Sequence, residues 1–225
     1  MLVAIHQPNL FPWLGFFDKM ARVDIFILLD TASFTKGGFQ NRVQLKDPNG
    51  AQWLTVPVMK RGRFGQLTLD VEINNLTRWT RDHLNTFMTL YHKTPGYDHL
   101  MPKLERLYTT QYTRLVDFTI PGIFLIRQEL DIRTSIIRAS ELGATGSGSE
   151  FLCDLVTSVG GRVYLSGPSG RQYLDGSMFE RRGIRVEYHE FRIFQYPQRF
   201  GGVIGGLSAL DYLFNQPDLL LWRSR

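Results

Sequence analysis

LVAIHQPNLFPWLGFFDKMARVDIFILLD, residues 2–30, decides the fold class of this chain. Its first run, LVAI, is short, apolar and β-rich, and it stops at His6-Gln7. Pro8-Asn9 breaks the strand pattern, and Pro12-Trp13-Leu14-Gly15 opens a helix that runs to about Ala21. Asp24 then leads into IFILL, a second buried run that ends at Asp30. Two short apolar strands with a helix between them predict a right-handed βαβ unit with a parallel pair. Ligands of such units bind outside the carboxyl ends of the strands. Here those ends carry His6, Gln7, Asn9, Trp13 and Asp30. The expected fold is therefore α/β, a Rossmann-like, mostly parallel sheet.

Beyond Asp30 the pattern alternates. FQNRVQLKDPNGAQWLTVPV contains Asp47-Pro48-Asn49-Gly50, and Asn-Gly between two strand-like runs is a strong hairpin signal. Strands are expected near 41–46 and 51–56, with a further short strand in LTLDVEI and a basic loop at Lys60-Arg61-Gly62-Arg63. From Trp79 to about Ile126 the spacing is helical, with Trp79, His83, Phe87, Leu90 and Tyr91 on one face and Pro121 disturbing an early turn. The α/β rhythm then resumes. RTSIIRASEL reads as a strand, and EFLCDLVTSVG as a helix with Ser149 as its N-cap behind the small polar loop Thr145-Gly146-Ser147-Gly148. RVYLSG and IRVEYHEF read as strands, with PSGRQYLDG as a loop and a short helix ending at FERRG between them. The organisation expected is one α/β domain over residues 1–225, with a β-hairpin insert at 35–78 and a helical subdomain at 79–130.

A formal charge of +5 suits an anionic substrate such as a nucleotide or phosphate, and is weak support for binding a polyanion. One cysteine, Cys153, excludes an intrachain disulfide and a cysteine-based zinc cluster; on an apolar helix it reads as a small core residue. His83 and His92 are not at metal-ligand spacing with a carboxylate, so no metal is expected. No apolar run approaches membrane-spanning length and the N-terminus lacks a signal-peptide pattern, so a cytoplasmic protein without membrane contact is expected.

Three segments carry candidate chemistry. At His6-Gln7-Pro8-Asn9 an imidazole and two amides stand before a helix whose free amides favour a phosphate or carboxylate; the alternative is a turn beside a hydrogen-bonded core histidine. Trp13 beside two prolines is a candidate stacking ring or a core residue. Lys36, Gln40, Asn41 and Arg42 form a polar group, with Phe39 beside them. In YLSGPSGRQYLD a strand ends in Ser166-Gly167, and a glycine-rich turn delivers Arg171, Tyr173 and Asp175. Ser166 and Asp175 suit hydroxyls and Arg171 a phosphate; the alternative is a turn capping the next helix. The Thr145–Ser149 loop resembles a phosphate cradle but lacks a Walker or dinucleotide spacing.

With HQPNLFPWLGFFDK, FQNR, WLTVPV and YLSGPSGRQYLD in order along nearly the whole length, the chain resembles the WbqC-like family. Leu10-Phe11 stands where a Tyr-Leu pair is expected and Phe39 where a Trp is expected, which keeps aromatic volume but alters a stacking contact. The resemblance implies a bacterial or archaeal cytoplasmic protein of O-antigen, lipopolysaccharide or aminosugar biosynthesis. The first unit is also similar in layout to nucleotidylyltransferases and pantothenate synthetase, whose His-x-Gly-His is replaced here by Trp13-Leu14-Gly15-Phe16. The function expected is an amide-forming acyl- or aminoacyltransferase acting on a nucleotide-linked aminosugar. His6 is the candidate base, and Gln7 and Asn9 are oxyanion or phosphate donors. Asp30 and Asp175 position ammonium or hydroxyls, Lys36, Arg42 and Arg171 hold a diphosphate, and Trp13 or Phe39 stacks on the base. The donor is left open among acyl-CoA, aminoacyl-tRNA and ATP plus an amino acid. The alternatives are a tRNA-dependent or ATP-dependent amide ligase and a non-enzymatic sugar-nucleotide-binding protein. A homodimer is one option for the assembly.

Overall fold

The computed structural model describes residues 1–60, 62–144 and 146–223; Arg61 of the basic loop and Thr145 of the small polar loop lie outside the described residues. In chain order the elements are β1 (Leu2–His6), α1 (Leu14–Ala21), β2 (Ile25–Leu28), β3 (Arg42–Asp47), β4 (Gly50–Thr55), α2 (Trp79–Tyr91), α3 (Tyr97–Thr109), α4 (Leu115–Glu129), β5 (Ser135–Arg138), α5 (Gly148–Ser158), β6 (Val163–Ser166), α6 (Gly176–Arg181), β7 (Arg185–Tyr188), α7 (Ala209–Asn215) and α8 (Leu220–Arg223). The chain forms two compact units, one of residues 1–8, 16–32 and 132–192, the other of residues 9–15, 33–131 and 193 onward. The segments 35–78 and 79–130 both fall in the second.

The first unit is a five-stranded, all-parallel sheet of order β5-β2-β1-β6-β7. β1 pairs with β2 from Val3↔Ile25 to His6↔Leu28, the βαβ unit that residues 2–30 predict. The chain builds outward from β1 through β2 to β5, then restarts on the other side of β1 with β6 and β7. This is Rossmann-like order, and it puts the topological switch point between β1 and β6. Val3, Ile5 and Ile27 pack with Phe151, Leu155 and Val156 of α5 and Phe179 of α6, all buried. Each such side chain contributes roughly 1.5–3 kcal/mol relative to exposure. Cys153 is a buried core residue here, and burial raises its thiol pKa.

In the second unit β3 and β4 form the hairpin, but its turn differs from expectation. Asp47 pairs with Gly50, so Pro48-Asn49 are the two turn residues. Proline fixes a negative φ and cannot enter the mirror-image turn that Asn-Gly favours. The Asp47 carboxylate instead accepts from Asn49 N at 2.7 Å. LTLDVEI is not a strand either: Thr68–Asp70 is a 3-10 turn, and its flanks make only the isolated bridges Ser33↔Leu67, Val58↔Ile73 and Glu72↔Arg114. Helices α2, α3 and α4 follow, with Trp79, His83, Phe87, Leu90 and Tyr91 buried as their spacing requires. α4 continues through Pro121. Phe11, Phe87, Tyr108 and Phe118 meet mostly edge to face, and Tyr91 stacks on Phe214 of α7 at 4.3 Å. Back in the first unit, Ser147 rather than Ser149 stands at the N-cap of α5; the Ser149 hydroxyl accepts from Asp175 N at 2.9 Å.

Gly96 opens α3 against α7, its N–H bonding Phe214 O at 2.8 Å. A Cβ there would lie 2.3 Å from Leu213 O and 2.9 Å from Phe214 O, both backbone atoms. Gly96→Ala is therefore expected to cost about 1–3 kcal/mol in a urea titration, the usual effect of overpacking. An unchanged midpoint would contradict the close approach.

Candidate functional site

The rim of the parallel sheet is built by strand ends. β1 and β6 pair as Leu2↔Val163, Val3↔Tyr164 and Ala4↔Leu165, so His6-Gln7 and Ser166-Gly167 leave the sheet side by side at the switch point. β7 ends beside them: Ser166 pairs with Tyr188, and His189 N donates to Ser166 O at 2.8 Å. The His6 Nδ1 sits 3.0 Å from Gln7 O, and because a carbonyl only accepts, Nδ1 carries the proton and Nε2 presents a lone pair. Ser166 is fully buried, its hydroxyl donating to Gly167 O at 3.2 Å. Arg171 lies in the 3-10 turn Pro168–Gln172, its guanidinium 4.1 Å from the centre of the Tyr188 ring and 3.8 Å from the Glu190 carboxylate.

Beside the ends of β6 and β7 is a buried ionic group that no local sequence pattern signals. α1 supplies Asp18 and Lys19, both almost inaccessible, and β7 is followed by buried His189. Asp18 Oδ2 accepts from Arg22 Nε and from His189 Nε2, each at 2.6 Å. Lys19 Nζ donates to Ile5 O of β1 at 3.1 Å and lies 5.8 Å from the Phe26 ring centre. Burial pushes the Lys19 amine down to about 7. Burial, with the positive charges of Lys19 and His189 adding to it, pulls the His6 imidazole down to about 3 against the opposing bond to Gln7 O. His6 is thus a neutral hydrogen-bond acceptor near neutral pH, and positive charge is disfavoured at this rim.

The remaining candidates of the first unit are held by their own neighbours. Asp30 is fully buried and accepts from Arg138 Nε at 2.8 Å, Ser140 N at 3.0 Å and Ser140 Oγ at 2.6 Å. Asp175 caps α6 through Ser177 N at 3.0 Å and Ser177 Oγ at 2.7 Å, bonds that lower its pKa. Tyr173 is exposed.

The second unit holds Asn9, Trp13, Lys36, Phe39, Gln40, Asn41 and Arg42. Leu10 N donates to Phe39 O at 2.9 Å, which ties the loop containing Asn9 to the segment before β3. The Trp13 ring folds over Gly15, where a Cβ would lie 2.4 Å from it. Gln40 and Asn41 are buried and serve the backbone, Gln40 toward Ser33 O at 3.4 Å and Asn41 to Val56 O at 2.9 Å. Arg42 donates to Gly37 O and lies 4.0 Å from the Trp53 ring centre, and Phe39 meets Trp53 at 5.8 Å. Phe39 and Trp53 are exposed, as is Lys36, so this surface offers planar rings and cations together. Among the described residues no group of three or more His, Cys, Asp or Glu is spaced to hold a metal, and no helix is long and apolar enough to cross a membrane.

Strand order and rim together define a doubly wound α/β protein with its polar groups at the switch point of a parallel sheet. The model of the WbqC-like protein family matches residues 7–219, and the chain belongs to that family. It is 33% identical over 224 residues to "Uncharacterized protein Rv1507c" of Mycobacterium tuberculosis (strain ATCC 25618 / H37Rv), covering 97% of this chain and 96% of that protein. No solved structure matches the chain.

Proposed function

We propose that the chain is an amide-forming acyl- or aminoacyltransferase that acts on the amino group of a nucleotide-linked sugar in surface-glycan biosynthesis. The observation that carries the reading is the meeting of His6, Ser166 and His189 at the ends of β1, β6 and β7. Burial lowers the pKa of His6 and Lys19 there, and a sugar ammonium buried on binding would be pushed the same way. The acceptor would then be the free amine, the nucleophile that acyl transfer requires. His6 Nε2 would accept a hydrogen bond from that amine or a neighbouring hydroxyl, and Arg171 would bind a phosphate of the sugar nucleotide. The donor is an activated acyl group, a thioester, an acyl phosphate or an ester. Aminoacyl-tRNA is the less favoured donor: Arg63 of the basic loop is bonded to Glu72 at 2.9 Å, which leaves less charge to follow a phosphate backbone.

The direct test is mass spectrometry of nucleotide-linked aminosugars incubated with the protein and either acyl-CoAs or ATP plus amino acids. A mass gain of one acyl group on one acceptor is expected. A sugar nucleotide that binds and is returned unchanged with every donor would make the chain a binding protein. With the acceptor known, Arg171→Met is expected to raise its KM at least about tenfold, the loss of a charge-assisted bond, with kcat and Tm little altered because Arg171 is exposed. An unmoved KM would remove Arg171 from the binding site.

A further inference from the structure

We infer that His189, oriented by Asp18, is the residue that moves the proton at this rim. The inference rests on the amide-transfer reading and assigns to its site a pair, Asp18 and His189, that stand 171 positions apart in the chain.

The geometry is that of a fixed carboxylate–imidazole pair. Asp18 is wholly buried on α1, and its Oδ2 takes the His189 Nε2 at 2.6 Å. A carboxylate only accepts, so Nε2 carries the hydrogen and Nδ1 presents the lone pair. Among the described residues no hydrogen bond reaches Nδ1. The backbone of His189 is pinned by its N–H on Ser166 O at 2.8 Å, directly after β7 and beside the end of β6. The ring is held by its bond to Asp18, and Phe191 lies nearly parallel to it with 6.4 Å between ring centres.

A purely structural histidine in this chain looks different. His83 spends both ring nitrogens, Nδ1 on Tyr108 OH at 2.8 Å and Nε2 on Thr55 O at 3.0 Å. His189 spends one and keeps the other open. Nor is His189 needed to neutralise Asp18, because Arg22 already bonds both carboxylate oxygens, at 2.6 and 3.3 Å. A carboxylate that holds an imidazole by one nitrogen and leaves the opposite one for a reacting group is the arrangement used for general acid–base transfer. The charged groups around the ring are Asp18 and Lys19 of α1, Arg22 just after that helix, His6 at the end of β1, and Arg171 and Glu190 near Tyr188. Asp18 is the anion in contact with the ring, and it offsets the cations when the imidazole takes a proton.

The bound sugar ammonium loses one proton to solvent to give the amine. The amine nitrogen forms a bond to the acyl carbon as His189 Nδ1 takes its second proton. The bond from the acyl carbon to sulfur or oxygen then breaks, and the leaving group receives that proton from His189. The products are the amide and the free thiol, phosphate or hydroxyl compound, with His189 returned to neutral.

The test uses the acceptor and donor found in the mass-spectrometric panel, with kcat, KM and sugar-nucleotide affinity measured for the full chain and for His189→Gln, His189→Ala and Asp18→Asn. For His189→Gln a kcat loss of about 100- to 10,000-fold is expected, the usual range for one acid–base group. KM and calorimetric affinity should stay close to the parent values. Asp18→Asn should lower kcat in the same way, because it no longer fixes which ring nitrogen carries the hydrogen, while KM holds. Added imidazole should restore part of the rate to His189→Ala and none to Asp18→Asn. A His189→Gln enzyme with near-normal kcat overturns the assignment, as do losses confined to KM, or variants that are unfolded and unresponsive to imidazole, which would make the pair structural. A parent chain that acylates no acceptor fails earlier and for a different reason: it removes the amide-transfer reading itself, and this assignment with it.

Discussion

Asp30→Ala is expected to lower the stability of the sheet-containing unit by about 3 kcal/mol, measured by chemical denaturation. The carboxylate is fully buried at the end of β2 and closes three bonds at once, to Arg138 Nε of β5 and to the N–H and hydroxyl of Ser140 in the 3-10 turn that follows. Removing it leaves the Ser140 amide and hydroxyl without their acceptor, together with a half-exposed guanidinium whose charge is no longer matched. The loss should exceed that of Asp175→Ala, whose carboxylate caps α6 at the exposed surface. Both aspartates follow strand ends or glycine turns, where a sequence reading puts ligand contacts. Their expected effects differ because the Asp30 carboxylate is itself fully buried and holds Arg138 and Ser140 together, whereas the exposed Asp175 holds only the exposed Ser177. If Asp30→Ala unfolds at the parental denaturant concentration, the clamp between β2 and β5 contributes nothing, and Asp30 is free for the ammonium-positioning role.

How much of this was legible in the chain follows from how local each signal is. Strand, helix and strand in residues 2–30 are set by short-range apolar runs and proline breaks, and so are the strand ends that carry His6-Gln7 and Ser166-Gly167. The hairpin was legible too, but its turn moved by one position because Pro48 constrains φ more strongly than Asn49-Gly50 invites a mirror-image turn. LTLDVEI alternates as a strand should, yet alternation only yields a strand where a partner edge runs alongside, and here the partners touch it at single bridges. The Asp18–His189 pair was out of reach for a different reason. Asp18-Lys19 in a short helix reads as an ordinary polar face, and only the sheet order brings the end of β7 to that helix. The one available hint was a charged pair set in the otherwise apolar FFDKM.

Acidification from pH 7 to pH 5 is expected to destabilise both units well before their carboxylates titrate. His83 is buried in the second unit, where burial holds its imidazole down to about 4 against the favourable bond to Thr55 O, and His6 in the first is held near 3. In the unfolded chain both return to about 6.5, the ordinary histidine value. Between the folded and unfolded values the unfolded chain binds more protons, so the stability these neutral rings contribute is complete above pH 6.5 and is lost as pH falls toward 4 and 3. At pH 5 the loss through His83 alone is about 2 kcal/mol, and the slope with both rings approaches roughly 2.7 kcal/mol per pH unit, less whatever water screens at the partly exposed His6. Lys19 acts with the same sign at higher pH: its folded value near 7 lies below the unfolded 10.5, so stability should rise again from pH 7 to pH 10. Urea titrations at pH 5, 7 and 9 measure all three. In His83→Gln the dependence between pH 5 and 6.5 should flatten, since glutamine keeps an N–H for Thr55 O without a titrating ring. A parent protein equally stable at pH 5 and pH 7 would mean that these histidines are charged in the folded state, and the rim at His6 would then tolerate the positive charge that the acyl-transfer reading requires it to reject.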